Sequence, residues 1–398
     1  MSSRTIGGWV SSALAAAMIA GCSSDSTGPA ADTQDAGAEA NAGPAWLSNA
    51  RVVVSGHGLE DNHDCRTSIC RHNENTDLVS FKGAPYLVHR TAWSQILGPN
   101  SALHVYRSAD GGQTFEETAR IEAPLDRDLR DPHFFVVGDE LRIKALTRLP
   151  VNSVRDSEVD TIAVLTKSTD GKSWTPLEPI TPATWSLWRI KQQAGVWYSA
   201  AYEDGDKSVV LYSSADGTTW TRGALVYGVS EDTPLETELT FLPSGKLLAL
   251  VRMDGNQQEL LGDRGRLRTK ICWADPPYDK FDCPDEFSGQ RLDGPLSFLW
   301  QGRLFVIARK HLPEYGRKRT ALFEIDGELE GGALAIKEWG ELPSAGDTSY
   351  AGQVALDDHQ VLVSWYSGDL GRDETWALGM GSLTDIWLGE IDLSLLLP

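Results

Sequence analysis

Apolar residues along this chain come in short alternating bursts. A run rich in Val, Leu, Phe, Tyr and Trp is followed by a polar turn of two to four residues and a second such run. The unit occurs six times: Asp77-LVSFKGAPYLVH-Arg90, His133-FFVVGDELRIKA, Trp188-RIKQQAGVWYSAAY, Glu236-TELTFLPSGKLLALV-Arg252, Gly294-PLSFLWQGRLFVIA-Arg309 and Tyr350-AGQVALDDHQVLVSWY. Successive copies begin 48 to 58 residues apart. The turns use Lys-Gly, Gly-Asp, Ala-Gly, Ser-Gly, Gln-Gly and Asp-Asp, residues that tolerate the tight bend of a hairpin. Few long stretches carry a helical period. The repeat predicts an all-β chain of small antiparallel sheets, a six-bladed β-propeller. An irregular β-sandwich is the alternative, and six copies at one period argue against it. Trp387-LGEIDLSLLL and the stretch at Arg51-VVVS are both candidates to complete the last blade.

A second motif lies between the hairpins. Ser108-ADGGQT-Phe115, Ser168-TDGKS-Trp174 and Ser214-ADGTT-Trp220 share Ser-x-Asp, then Gly, then an aromatic residue. The Ser and Asp side chains are suited to bond the turn backbone, Gly to bend it, and the aromatic to pack beneath it. The motif is structural and assigns no chemistry.

The N-terminus differs from the rest. Residues 1–21 carry Arg4 and then an apolar stretch, ending Ile19-Ala20-Gly21-Cys22. The segment resembles a bacterial lipoprotein signal peptide, in which Cys22 becomes the lipidated first residue; an ordinary secretory peptide is the alternative. Residues 22–44 are rich in Ala, Gly, Asp and Ser and read as a tether, leaving 45–398 for the fold. This predicts a cell-envelope protein whose only membrane contact is its lipid. Four further cysteines suit an oxidising compartment, and their proximity predicts the bridges Cys65–Cys70 and Cys272–Cys283. Neither pair has zinc-ligand spacing with nearby His, so no metal or other cofactor is expected. The chain has 36 Lys and Arg against 56 Asp and Glu, a net charge of −20. That balance argues against nucleic acid as a partner. A monomer is expected.

The three Ser-x-Asp boxes, with Asp128-LRDPH, Leu187-WRIK and Leu342-PSAGDTSYAG, resemble the sialidase-like (Asp-box) β-propellers, secreted bacterial proteins among them. The resemblance covers nearly all of residues 65 to 390. It implies a central funnel lined by the first strand of each blade, and a glycoside hydrolase acting on sialic acid or another acidic sugar. Tyr350 then looks like the nucleophile and Glu236 its base. Arg71, Arg252 and Arg309 look like the clamp for the sugar carboxylate. A neutral Tyr avoids the repulsion that an anionic nucleophile meets beside that carboxylate, and Arg forks match it bidentately. Arg90, Trp188 and Arg189 are further candidates for the funnel.

Two departures stand out. The segment Arg90-TAWSQILGPNS matches the one that carries the acid/base Asp in sialidases, and that position here is Gln95, which delivers no proton. Asp131 is a candidate substitute, together with Asp77, His72 and His133. Arg71-His72-Asn73 stands where sialidases usually have Arg-Ile-Pro. Two other functions therefore stay open. One is a polysaccharide lyase on uronic acids, which would use Tyr, His and Arg differently. The other is a non-catalytic surface propeller that binds glycan or protein.

Overall fold

The protein is described by a computed structural model over residues 43–96, 100–124, 127–149, 161–182, 184–203, 207–228, 233–254, 269–284, 290–312 and 316–396. The signal segment, Cys22 and most of the tether lie outside the described residues. No described helix is long and apolar enough to cross a membrane.

The fold is all-β. β1 (Leu47–Val54) precedes a first antiparallel meander of β2 (His72–Phe81), β3 (Ala84–Ala92), β4 (Ala102–Arg107) and β5 (Glu116–Glu122). The second is β6 (Asp128–Val137), β7 (Glu140–Arg148), β8 (Thr161–Ser168) and β9 (Glu178–Pro179). The third holds β10 (Trp185–Leu187), β11 (Lys191–Gln193), β12 (Val196–Glu203), β13 (Ser208–Ser214) and β14 (Thr221–Gly228). The fourth is β15 (Thr233–Phe241), β16 (Leu247–Asp254) and β17 (Lys270–Ala274). The fifth is β18 (Asp293–Trp300), β19 (Arg303–His311), β20 (Lys318–Gly327) and β21 (Leu334–Glu341). The last is β22 (Thr348–Ala355), β23 (Gln360–Gly368) and β24 (Thr384–Asp392), with β1 paired antiparallel on the far side of β24. Both chain ends thus complete the last meander. One parallel residue pair, His72 with Thr384, joins it to the first meander, so these two count as a single eight-stranded sheet. Contacts run from β2 to β6, β8 to β10, β12 to β15, β15 to β18, β18 to β22 and β22 back to β2.

All six expected hairpins are present, but their first strands start earlier than the apolar pattern suggests. β2 begins at His72 and β6 at Asp128, because polar residues keep pairing before a break in the ladder. Register shifts fall at Glu74/Asp77, Arg130/His133, Pro234/Thr237, Asp293/Leu296 and Ser349/Gly352. These are β-bulges, which re-aim a side chain at the cost of ladder bonds. The third meander goes further: β10 and β11 pair separately with β12, and Trp188 to Ile190 fill the gap.

The Ser-x-Asp boxes cap the turns after β4, β8 and β13. In the second, Asp170 Oδ1 accepts from the backbone N–H of Lys172 (2.8 Å) and Ser173 (2.7 Å), and Ser168 Oγ from Gly171 (2.8 Å). The other two repeat the pattern. Each box is also gripped by a cation of the adjoining meander. Arg51 donates to Gly112 O, Lys82 to Thr169 O and Arg142 to Asp216 O, at 2.6, 2.6 and 2.7 Å. The boxes therefore fasten neighbouring sheets as well as bending the chain. The disulfides pair as expected, Cys65 with Cys70 and Cys272 with Cys283.

The β22–β2 contact depends on Gly352. A Cβ there would lie 2.3 Å from the backbone N of Leu78 and 2.6 Å from Cα of Asp77. Gly352→Ala is expected to destabilise the fold by about 3 kcal/mol through overpacking of rigid backbone. Urea unfolding followed by tryptophan fluorescence measures this, and a change below ~0.5 kcal/mol would contradict the tight β22–β2 contact.

Candidate active site

The bulges gather side chains from different meanders into one cluster. Asn75, Asp131 and Tyr350 sit at them with φ of 53°, 51° and 49°, left-handed values that strain non-glycine residues. Gly294 takes the corresponding place on β18 with φ 55°. A Cβ on Gly294 would come within 3.1 Å of the Tyr350 ring, so glycine makes room for the phenol. Trp188, in the gap of the third meander, packs edge-on against Tyr350 at a centroid distance of 5.8 Å.

At the centre, Tyr350 Oη donates to Glu236 Oε1 at 2.5 Å. Arg252 Nη1 donates to Glu236 Oε2 at 2.6 Å and to Tyr350 Oη at 3.1 Å. The backbone N–H of Gly294 also donates to Glu236 Oε2, at 3.1 Å. Arg309 lies over the Tyr350 ring, 5.0 Å from its centroid. All four side chains are at least nine-tenths buried. Burial, reinforced by the charge of Glu236, pushes the Tyr350 phenol well above its usual range, against Arg252 and Arg309. The resting phenol therefore keeps its proton and presents it to Glu236.

Asp131 flanks this pair. Burial raises its carboxyl; Arg130 and Lys144 oppose that, while the charges of Glu236 and Glu74 add to it. Asn75 Nδ2 donates to Asp131 Oδ1. Lys144, fully buried, donates to the Asp131 carbonyl at 3.2 Å. Desolvation lowers its amine to about 7.

No protein-family model and no curated protein sequence matches this chain. Solved structures do. A protein of unknown function from Dyadobacter fermentans superposes with TM-score 0.61 at 18% identity, covering 86% of this chain and 99% of that one. The NanB sialidase of Streptococcus pneumoniae gives 0.60 at 12%, covering 86% and 70%. The α-L-arabinanase of Penicillium chrysogenum gives 0.57 at 15%, covering 87% and 99%. The fold is that of the sialidase-like β-propellers.

Within this propeller fold, the residues singled out from sequence divide into two sets. Tyr350, Glu236, Arg252, Arg309 and Trp188 come together, and the charge of Glu236 is felt by Asp131 beside them. Arg71 does not join them. It donates to the carbonyls of Trp93 (2.9 Å) and Gly381 (2.7 Å), with its guanidinium 4.1 Å from the Trp93 ring centroid. Arg90 and Arg189 tie sheets together. Arg90 grips Asp128 bidentately, both bonds 2.9 Å, and also bonds Glu74. Arg189 bonds Asp77 at 2.8 Å and the Ala351 carbonyl. Asp77 accepts from Arg189 and the Phe134 N–H, while burial raises its carboxyl against those partners. His133 is fully buried against Trp188, and desolvation with Arg189 and Lys144 holds its pKa well below 6.5, so it is neutral. His72, also fully buried, bonds the Ser382 carbonyl at 2.7 Å. The Gln95 carbonyl accepts from Arg130 at 2.8 Å.

Sequence reading passed over several members of the site. Asp254 grips Arg252 at 2.9 Å through both oxygens, and Asp347 takes Arg309 at 3.0 Å. Asp293 Oδ1 lies 3.4 Å from Arg252 and accepts from Arg291 at 2.6 Å. In the sequence Lys144 stands two residues from Arg142 in the same strand, and nothing distinguishes the two cations.

An amine that titrates near 7 when folded and near 10.5 when unfolded binds fewer protons in the folded state between those values. Stability from this group therefore rises with pH across that window. Lys144→Met is expected to flatten the rise between pH 7 and 10 in urea unfolding. An unchanged slope would show that the amine is not desolvated.

Proposed function

We propose that the chain is a six-bladed, sialidase-like glycoside hydrolase whose reaction centre is Tyr350, Glu236 and Asp131. The observation that carries this reading is the 2.5 Å hydrogen bond from the Tyr350 phenol to Glu236, with Arg252 on both. Tyr350 Oη attacks the anomeric carbon and its proton passes to Glu236. The bond to the aglycone oxygen breaks as that oxygen takes a proton from Asp131, whose buried carboxyl is disposed to carry one. Water then attacks the glycosyl-tyrosine, giving a proton to Asp131, and the phenol recovers its own from Glu236. Configuration is retained over the two displacements. Asp131 thus does the work that Gln95 cannot. The carbohydrate is the only partner this reading requires. The protein works as a monomer, tethered to the cell envelope by a lipid on Cys22.

A second reading, a propeller that binds glycan without turnover, is favoured by Gln95 alone. One assay separates the two. Full-length protein is incubated with aryl glycosides of neutral and acidic sugars, bearing good and poor leaving groups. Turnover is expected, with Tyr350→Phe and Glu236→Gln each losing at least ~10³-fold in kcat. Asp131→Asn is expected to lose about 10²–10⁴-fold on poor leaving groups and much less on good ones. Binding without turnover across the whole panel would establish the second reading instead.

A further inference from the structure

The two arginines beside Tyr350 are already matched by carboxylates of the protein. Arg252 offers its Nε–Nη2 edge to Asp254 in a fork, both bonds 2.9 Å, and this edge is the one that grips a carboxylate bidentately. Its Nη1 is spent on Glu236 and Tyr350. Arg291 bonds Asp254 and also Asp293, and Asp293 Oδ1 approaches Arg252 to 3.4 Å. Arg252, Asp254, Arg291 and Asp293 are therefore linked by successive ion pairs, which Glu236 joins through Arg252 and His311 through Asp293. Arg309 is balanced in turn by Asp347, and it also bonds Tyr366 and the Thr348 carbonyl at 2.8 Å each. Asp254 is the least buried of these acids, with a quarter of its side chain exposed, and sits two residues beyond Arg252 on the same face of β16.

We infer that Asp254 occupies on Arg252 the place of a substrate carboxylate, so that the site takes an uncharged glycosyl unit. This rests on the reading of Tyr350 and Glu236 as a glycosidase centre. An acidic sugar would have to displace Asp254 from the fork or bind outside it. Displacement strands the Asp254 carboxylate and adds another beside Asp293 and Glu236, which already face Arg252, within a chain of net charge −20. A neutral sugar meets no such repulsion. The phenol nucleophile still makes sense beside it, because Asp254, Asp293 and Glu236 would oppose an anionic nucleophile as a substrate carboxylate does. Asp254 is a specificity-determining residue that acts through Arg252.

The test compares wild type, Asp254→Asn and Asp254→Glu as full-length proteins. Aryl glycosides of neutral hexoses and pentoses are set against those of glucuronic and N-acetylneuraminic acid. Calorimetry measures binding of the same four classes of free sugar. Wild type is expected to prefer the neutral arm at least tenfold in kcat/KM. Asp254→Asn is expected to gain at least tenfold for the acidic arm, in KM rather than kcat, and Asp254→Glu to keep the wild-type selectivity. A wild type that prefers acidic sugars, or an Asn variant with no gain, would overturn the inference while leaving the hydrolase intact. If no glycoside is turned over, the hydrolase reading fails, and calorimetry still decides the role of Asp254. Tenfold tighter acidic-sugar binding by the Asn variant would sustain that role, and equal binding would overturn it. Circular dichroism melts confirm that each variant is folded, and Asp254→Ser replaces any that is not.

Discussion

A strand that gains one residue mid-ladder must turn a side chain out of its sheet, and the cluster around Tyr350 depends on that constraint. Bulges in β2, β6, β15, β18 and β22 occur near the start of each strand, and the third meander replaces its bulge with an outright gap. In an unbroken ladder, residues alternate between the two faces of a sheet and meet only the adjoining sheets. The bulges instead direct Asn75, Asp131, Glu236 and Tyr350 toward one another. The left-handed backbone of Asn75, Asp131 and Tyr350 is the strain that accompanies this arrangement. Such strain persists only where the surroundings over-determine it. Here they do so through bonds between sheets: Thr76 to the Tyr350 carbonyl (3.0 Å), Arg189 to the Ala351 carbonyl and Phe134 N–H to Asp77 (2.7 Å).

Those bonds explain how an acidic protein keeps so many buried cations. Arg90, Arg189, Arg252 and Arg309 are each nearly or wholly buried, and each meets at least one carboxylate. A buried ion pair stabilises little by itself, but removing one partner strands the other charge and costs about 3–5 kcal/mol. The arrangement therefore specifies geometry more than stability. Arg90, Arg189 and Arg309 bond from one sheet to another, whereas Arg252 bonds both the Tyr350 phenol and the Glu236 carboxylate.

The hairpins and boxes were legible in the sequence because both are local: alternation, a polar turn, and Ser-x-Asp-Gly before an aromatic. The disulfides were legible for the same reason, each closing a short stretch of chain. The strand starts were not. His72-NENT and Asp128-LRDP precede the apolar runs that mark the hairpins, since a bulge breaks alternation with polar residues that still pair. The site was half legible. Tyr350, Glu236 and Arg252 followed from a resemblance of motifs, but their neighbours depend on contacts across sheets. Asp77 and Arg189 are 112 residues apart, and Arg309 and Asp347 are 38. A single sequence carries no mark of such pairs. Asp254 was passed over although a local signal exists: it lies two residues from Arg252, and same-face spacing on a strand continued past Arg252 puts its carboxylate beside that guanidinium.

The central claim is that Tyr350 becomes covalently bonded to the sugar. Trapping with activated fluoroglycosides, chosen from whichever sugar class the protein turns over, followed by peptide mass spectrometry, tests this most directly. The account predicts a glycosyl adduct on the peptide containing Tyr350, absent from Tyr350→Phe and formed far more slowly in Glu236→Gln. Turnover with the adduct on a carboxylate, or turnover with inversion and no adduct, would contradict it.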